Sequence, residues 1–311
     1  RRRYRRLVVQ AVVLNEYGGP EKLKYEDVPD PVAGEGEVLV RQAATSINPV
    51  DWKMRSGAAK EHFPVQFPGI LGRDVAGIVM AVGPGVEGFT PGDKVIALGW
   101  ATYAELTVVK AADVARLPAG MDLVEAAALP LVTTTGEQLI SLGVQPKQGD
   151  TVLVSGAAGS VGRSAVWVAK KAGATVIAGV LKKQLKQAQE IGADEVVALD
   201  DQDDVKRLGF LDAVADAVDH ETGEMLLGKV KQGGVFASVL GPPANAKLHP
   251  TVRIAPIVAK PDARALEALA QDVKDGRLRI AIDRMLPLEQ ASEGQRAAEK
   301  GGVPGKILLL A

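Results

Sequence analysis

The chain has 311 residues, 37 basic against 38 acidic side chains and a net charge of −1, a balance that offers no general attraction to nucleic acid or to an anionic membrane. Cysteine is absent, which excludes a disulfide framework, a thiolate zinc site and a cysteine nucleophile; His62, His220 and His249 are too far apart to show metal-ligand spacing, so no metal site is expected. No apolar run approaches the roughly 18 residues of a membrane span, and the length predicts two domains.

Residues 1–6, Arg-Arg-Arg-Tyr-Arg-Arg, are read as a tail or start-site extension ahead of a fold that begins around Val8–Leu14. From there to about residue 110, short β runs are divided by Gly and Pro: Ala11–Leu14, Glu37–Ala44, Val75–Val82, Lys94–Ala97 and Glu105–Val109. Residues 122–145 change to an Ala/Leu-rich helical pattern. From Thr151 strands alternate with helices, and the further strands Glu195–Leu199, Ala213–Val218 and Val235–Leu240 imply a parallel, doubly wound sheet. Thr251–Val258 follows, then a helix over Asp262–Asp275 and a final helix–strand pair ending in Ile307-Leu308-Leu309-Leu310. The fold class is therefore α/β, a doubly wound parallel sheet beside a mainly-β region.

The centre of this pattern is Val152-Leu153-Val154-Ser155-Gly156-Ala157-Ala158-Gly159-Ser160-Val161-Gly162. A β-branched run ends in small residues and an amphipathic helix follows, the context a phosphate-binding turn needs. Small side chains let a pyrophosphate approach backbone N–H groups at the positive end of a helix. The next strand, Ala174 to Val180, closes a βαβ unit. Where a protein selective for NAD carries an acid, this chain reads Gly179-Val180-Leu181-Lys182-Lys183-Gln184. A small residue followed by two lysines suits a 2′-phosphate, so the expected cofactor is NADPH, held by Gly156–Gly162, Gly179, Lys182 and Lys183.

Several motifs together resemble the medium-chain dehydrogenase/reductase superfamily, in its zinc-free quinone oxidoreductase (zeta-crystallin-like) group. They are Ser46-Ile47-Asn48-Pro49-Val50-Asp51-Trp52-Lys53, Gly72-Arg73-Asp74-Val75-Ala76-Gly77, Pro91-Gly92-Asp93-Lys94-Val95, Ala157-x-Gly159-x-x-Gly162, Ile191-Gly192-Ala193-Asp194 and Gly305-Lys306-Ile307. The resemblance implies a GroES-like catalytic domain from residues 1–130 and 255–311 around a Rossmann domain at 131–254, with the active site in the cleft between them. Zinc-dependent relatives carry Gly-His-Glu, whereas Gly72 here precedes Arg73-Asp74. Without a Lewis acid, the chemistry left is hydride delivery to an acceptor that already delocalises charge, a quinone or an α,β-unsaturated carbonyl.

Lys53 makes the chain similar to plant enone oxidoreductases and chloroplast-envelope quinone oxidoreductase homologues. By that resemblance Asn48 and Lys53 lie beside the nicotinamide ribose, and Lys53 polarises the carbonyl or relays a proton. Thr135 reaches the nicotinamide side, and Leu240-Gly241 touch its carboxamide. A cytoplasmic homodimer is implied, paired along Thr251–Val258. The other reading is a catalytically weak NADPH-binding protein with a crystallin-like or RNA-binding role, the latter opposed by the balanced charge.

Overall fold

The computed structural model describes residues 8–311; the arginine cluster at residues 1–6 lies outside them. The chain divides into two compact units, one formed by the chain up to Leu131 together with Pro261–Ala311, the other by Val132–Lys260.

The first segment of unit 1 carries β1 (Val9–Leu14), β2 (Leu23–Val28), β3 (Glu37–Ser46), α1 (Pro49–Ser56), β4 (Gly69–Ile70), β5 (Asp74–Val82), β6 (Lys94–Leu98), β7 (Leu106–Lys110) and β8 (Val114–Arg116). Helix α2 (Pro130–Gln138) leads into unit 2, which continues with β9 (Thr151–Ser155), α3 (Ser160–Lys171), β10 (Thr175–Val180), α4 (Leu185–Ala188), β11 (Glu195–Ala198), α5 (Gln202–Arg207), β12 (Leu211–Asp216), α6 (His220–Leu227), β13 (Val230–Ser238) and β14 (Arg253–Pro256). The chain then returns to unit 1 through α7 (Ala263–Lys274), β15 (Ile282–Pro287), α8 (Ala291–Lys300) and β16 (Lys306–Leu310).

In unit 2 the six strands run parallel in the order β11-β10-β9-β12-β13-β14. A parallel sheet is covered on both faces, so its central strands are apolar throughout. Val152, Leu153 and Val154 of β9 are all buried. Period-two geometry sends Val152 and Val154 to a core with Val166 and Val176, and Leu153 to a second core with Val214 and Phe236.

Unit 1 is mainly β: a sheet ordered β15-β16-β3-β5-β6-β8 with β7 also on β3, and a smaller sheet β2-β1-β4. β16 pairs antiparallel with β3, with Leu308 opposite Ser46, so the last strand of the chain brings Lys306 to the Ile47–Asn48 turn. That pairing, between residues some 260 apart, builds the polar centre described below.

The structure changes several local expectations. The helical run over 122–145 is a 3-10 turn at Glu125–Ala128, then α2, then a π-helical turn at Leu139–Val144. The strand expected over Thr251–Val258 spans only Arg253–Pro256 and ends on the proline, which has no N–H to continue a ladder. β2, β4, β8 and β15 have no counterpart in the sequence reading. β2 shows why: Lys24 to Asp27 are all exposed, so no apolar alternation marks it.

Candidate functional site

In unit 2 the turn after β9 is built for close approach. Gly156 has φ +63°, and a Cβ there would lie 2.7 Å from Val218 Cγ2. Ala157 N–H donates to Gly179 O at 3.1 Å, tying the turn to β10. Gly159 is the N-cap of α3 and offers no side chain to cover the helix start. At Gly162 a Cβ would meet Gly156 O at 2.2 Å, so the helix packs directly on the turn. A groove of about 860 Å³ opens there, lined by Gly156, Gly159, Gly179, Leu181, Asp200 and Thr222 among others. A glycine-floored groove at the start of a 12-residue helix fits the pyrophosphate and adenosine of a dinucleotide.

The carboxyl ends of the central strands are tied by Asp216, which the sequence reading did not single out. Its Oδ1 accepts from Ser155 Oγ at 2.7 Å and its Oδ2 from Ser238 Oγ at 3.0 Å; Ser155 Oγ in turn accepts from Ala217 N–H and Ser238 Oγ from Leu240 N–H. Burial raises the Asp216 carboxyl above its ordinary value, opposed by these two hydroxyl donors. Asp216 therefore sets the position of Leu240-Gly241, which follow β13. Asp219 caps α6, accepting from Thr222 N–H at 2.7 Å. Thr135 is buried on α2.

The two lysines are placed differently from the expected phosphate clamp. Lys182 Nζ is paired with Asp201 at 2.8 Å and its backbone N–H donates to Asp200 Oδ1 at 2.6 Å. Lys183 is exposed and makes no ion pair among the described residues. Neither lysine lines the groove, but Asp200 does. An acid is absent from the end of β10, yet the neighbouring strand delivers one to the same corner.

Unit 1 holds a buried polar cluster around the N-terminus of α1. Asn48, the N-cap of α1, is fully buried; its Nδ2 donates to Asp74 Oδ2 at 2.6 Å and to Ser46 O, while its Oδ1 accepts from Lys306 Nζ. Lys306 also donates to Ile47 O at 2.9 Å and stands 3.9 Å from Asp74 Oδ2. Asp74 Oδ1 accepts from Leu131 N–H at 2.7 Å. Burial lowers the Lys306 ammonium pKa, offset by Asp74 and Asp51. Asp51 Oδ2 accepts from Asn48 N–H at 2.8 Å and from the Tyr103 hydroxyl at 2.9 Å. Its own carboxyl is pushed up to about 7, chiefly by burial.

The two expected active-site residues of α1 thus part company. Asn48 spends its amide inside the protein, where it anchors the turn. Lys53, on α1, is exposed. Asp51, Asp74 and Lys306 lie within the motifs of the sequence reading and Tyr103 outside them; nothing in the sequence marks the four as one site. The available signal was charge abutting apolar strands: Asp74 opens Val75–Val82, and Lys306 opens Ile307–Leu310. Charges there must be paired when the strand is buried.

Residues 34–119 match the alcohol dehydrogenase GroES-like domain and residues 191–309 the zinc-binding dehydrogenase family. The chain is similar to the chloroplast envelope quinone oxidoreductase homolog of Arabidopsis thaliana, at 32% identity over 97% of this chain and 98% of that one. Among solved structures, one described as an NAD-dependent alcohol dehydrogenase is 32% identical with a TM-score of 0.84, covering 97% of this chain and 99% of its own. A mycobacterial structure complexed with NADPH is 27% identical with a TM-score of 0.85, covering 97% of this chain and 100% of its own.

Proposed function

Because the chain belongs to the medium-chain dehydrogenase/reductase family, in its quinone oxidoreductase group, we propose that it reduces a quinone or the C=C bond of an α,β-unsaturated carbonyl with NADPH. The observation that carries this reading is the glycine-floored groove at the start of α3. With the pyrophosphate and adenosine of the cofactor held there, its dihydronicotinamide would supply a hydride. Hydride adds to the β-carbon of an enone, or to a quinone, and the displaced π pair moves to oxygen; water supplies the proton that completes reduction.

The donor set does not suit zinc. The sequence has no cysteine, and no group of three or more His, Asp or Glu side chains among the described residues could hold a metal ion. In unit 1, Asp74 and Lys306 hold the Asn48 turn and so fix the start of α1, and Lys53 on that helix is free to meet an acceptor oxygen. NADPH is supported by the NADPH-bound structural relative and by the Lys182-Lys183 pair following β10. With Lys182 held by Asp201, Lys183 is the cation left for a 2′-phosphate. A homodimer through β14 is part of the same reading, because among the described residues β14 ends the sheet with one edge unpaired and Val258 beside it is 59% exposed.

The test is NADPH oxidation with a quinone and with an enone, on the native protein and on Lys53→Met. Lys53→Met should slow the enone more than the quinone, since a quinone needs less polarisation of its oxygen. No turnover with any quinone or enone refutes the reading. Equal losses for both acceptors would remove Lys53 from the chemistry.

A further inference from the structure

Among the described residues unit 1 buries two arginines, and they are treated differently. Arg55, 1% exposed, uses all three guanidinium nitrogens on the protein: Nε donates to Gly18 O at 3.0 Å, Nη1 to Gln295 Oε1 at 2.8 Å and Nη2 to Glu299 Oε2 at 2.7 Å. It is a structural cross-link. Arg73, 4% exposed, uses one: Nε donates to Gly99 O at 2.7 Å. Its guanidinium carbon lies 3.6 Å from the centre of the Trp100 ring.

No carboxylate among the described residues comes within ion-pair distance of Arg73, and neither Nη1 nor Nη2 has an acceptor there. These amines are not sealed in. The buried side-chain atoms without a partner among the described residues are Asp51 Oδ1, Thr134 Oγ1 and Asn245 Oδ1, and no Arg73 atom is among them. The Arg73 amines therefore open on space that solvent reaches. A cation taken largely out of water without a counter-ion is unfavourable, and burial draws its pKa down, with the fields of Asp51 and Asp74 acting against that. The Trp100 face offsets part of the cost. Fixed in plane by Nε and by the ring, with four N–H bonds uncommitted, the group is a preformed donor for an oxygen that gains negative charge.

We propose that Arg73 is a catalytic residue: its Nη groups donate hydrogen bonds to the carbonyl or quinone oxygen of the acceptor and hold the charge that develops there. This rests on the hydride-transfer reading above. As hydride adds to carbon, the C=C pair shifts and the carbonyl pair moves onto oxygen. Arg73 stabilises that enolate or quinol oxyanion without giving up a proton, because a guanidinium stays protonated. Water then protonates carbon or oxygen. The planar fork selects a flat acceptor with an sp² oxygen.

The experiment compares native protein with Arg73→Gln and Arg73→Lys, each checked for native circular dichroism and melting. Two readouts are taken: turnover with an enone under saturating NADPH, and absorbance titration of bound 4-nitrophenol, whose phenolate band reports an oxyanion directly. Arg73→Gln should lower kcat by roughly 100-fold with NADPH affinity unchanged, and Arg73→Lys should restore part of it. Native protein should bind the probe as phenolate with its pKa lowered by about one unit, and Arg73→Gln should abolish that shift. A folded Arg73→Gln protein that keeps native kcat overturns the proposal, as does a probe pKa that is the same in both proteins. Should Arg73→Gln fail to fold, the Arg73→Lys titration decides: an unchanged probe shift overturns the proposal, and a reduced one supports it. If native protein turns over no quinone or enone, the proposed reaction falls, and the 4-nitrophenol titration still shows whether Arg73 holds an oxyanion.

Discussion

Asp51 makes unit 1 sensitive to pH in a direction that can be worked out beforehand. Its carboxyl ordinarily titrates at 3.8 and is held at about 7, with burial the largest cause and the Asn48 N–H and Tyr103 O–H bonds pulling the other way. A carboxyl whose folded pKa lies above its unfolded one binds its proton more tightly when folded. Its contribution to stability is therefore full below about pH 4 and is lost as pH rises through 7. The difference between the two values corresponds to roughly 4 kcal/mol, more than half of which disappears between pH 5 and pH 8. Asp51→Asn removes the ionisation and keeps an acceptor for Tyr103 and Asn48. Because Asp51 Oδ1 has no partner among the described residues, the new amide nitrogen would also be unpaired there, a constant penalty of about 1–3 kcal/mol. The assay is urea unfolding at pH 5, 6, 7 and 8, followed by tryptophan fluorescence, to which Trp52, next to Asp51 on α1, contributes. The native protein should lose stability across this range relative to Asp51→Asn, whatever the constant offset between the two. Parallel pH profiles for the two proteins would refute the buried, proton-holding carboxyl.

The cofactor corner predicts a competition between charges. Asp200→Asn should raise affinity for NADPH relative to NADH by about threefold to tenfold, by removing an anion from the groove beside Lys182; Lys182→Ala with Lys183→Ala should do the opposite, and titration calorimetry that finds no change in the ratio refutes both. Lys306→Met strips the donor from Asn48 Oδ1 and Ile47 O and leaves Asp74 without its cation, so it should destabilise unit 1 by about 3–5 kcal/mol. A loss below about 1 kcal/mol in urea unfolding would show that the ion cluster is not a stabilising unit. Sedimentation at micromolar concentration should give a dimer, and Val258→Lys should weaken it; a native monomer removes the edge-pairing idea.

The alternation of apolar runs with helical stretches after Thr151, broken by Gly and Pro signals, was enough to read the parallel sheet, because both the burial of its strands and the shape of the phosphate turn are local properties of the chain. Ser155–Gly162 shows this well: φ at Gly156 and the close contact at Gly162 follow from residue size within eight positions. β2 escaped the sequence reading because an exposed strand leaves no period-two pattern, and the 122–145 run broke into three helix types because tertiary packing decides where each turn tightens or widens. The polar centre of unit 1 was illegible for a different reason. Lys306 meets Asn48 across 258 positions of chain and Asp74 meets Asn48 across 26, and a charge shows its role only when its partners are known. The same holds for Asp200, which the sequence places after β11 and the sheet places at the end of β10. The phosphate turn and the alternation of buried strands with helices are set by neighbours in sequence, so the chain alone determined them; where a helical turn tightens or widens and how buried charges pair depend on neighbours in space, and only the folded structure decided those.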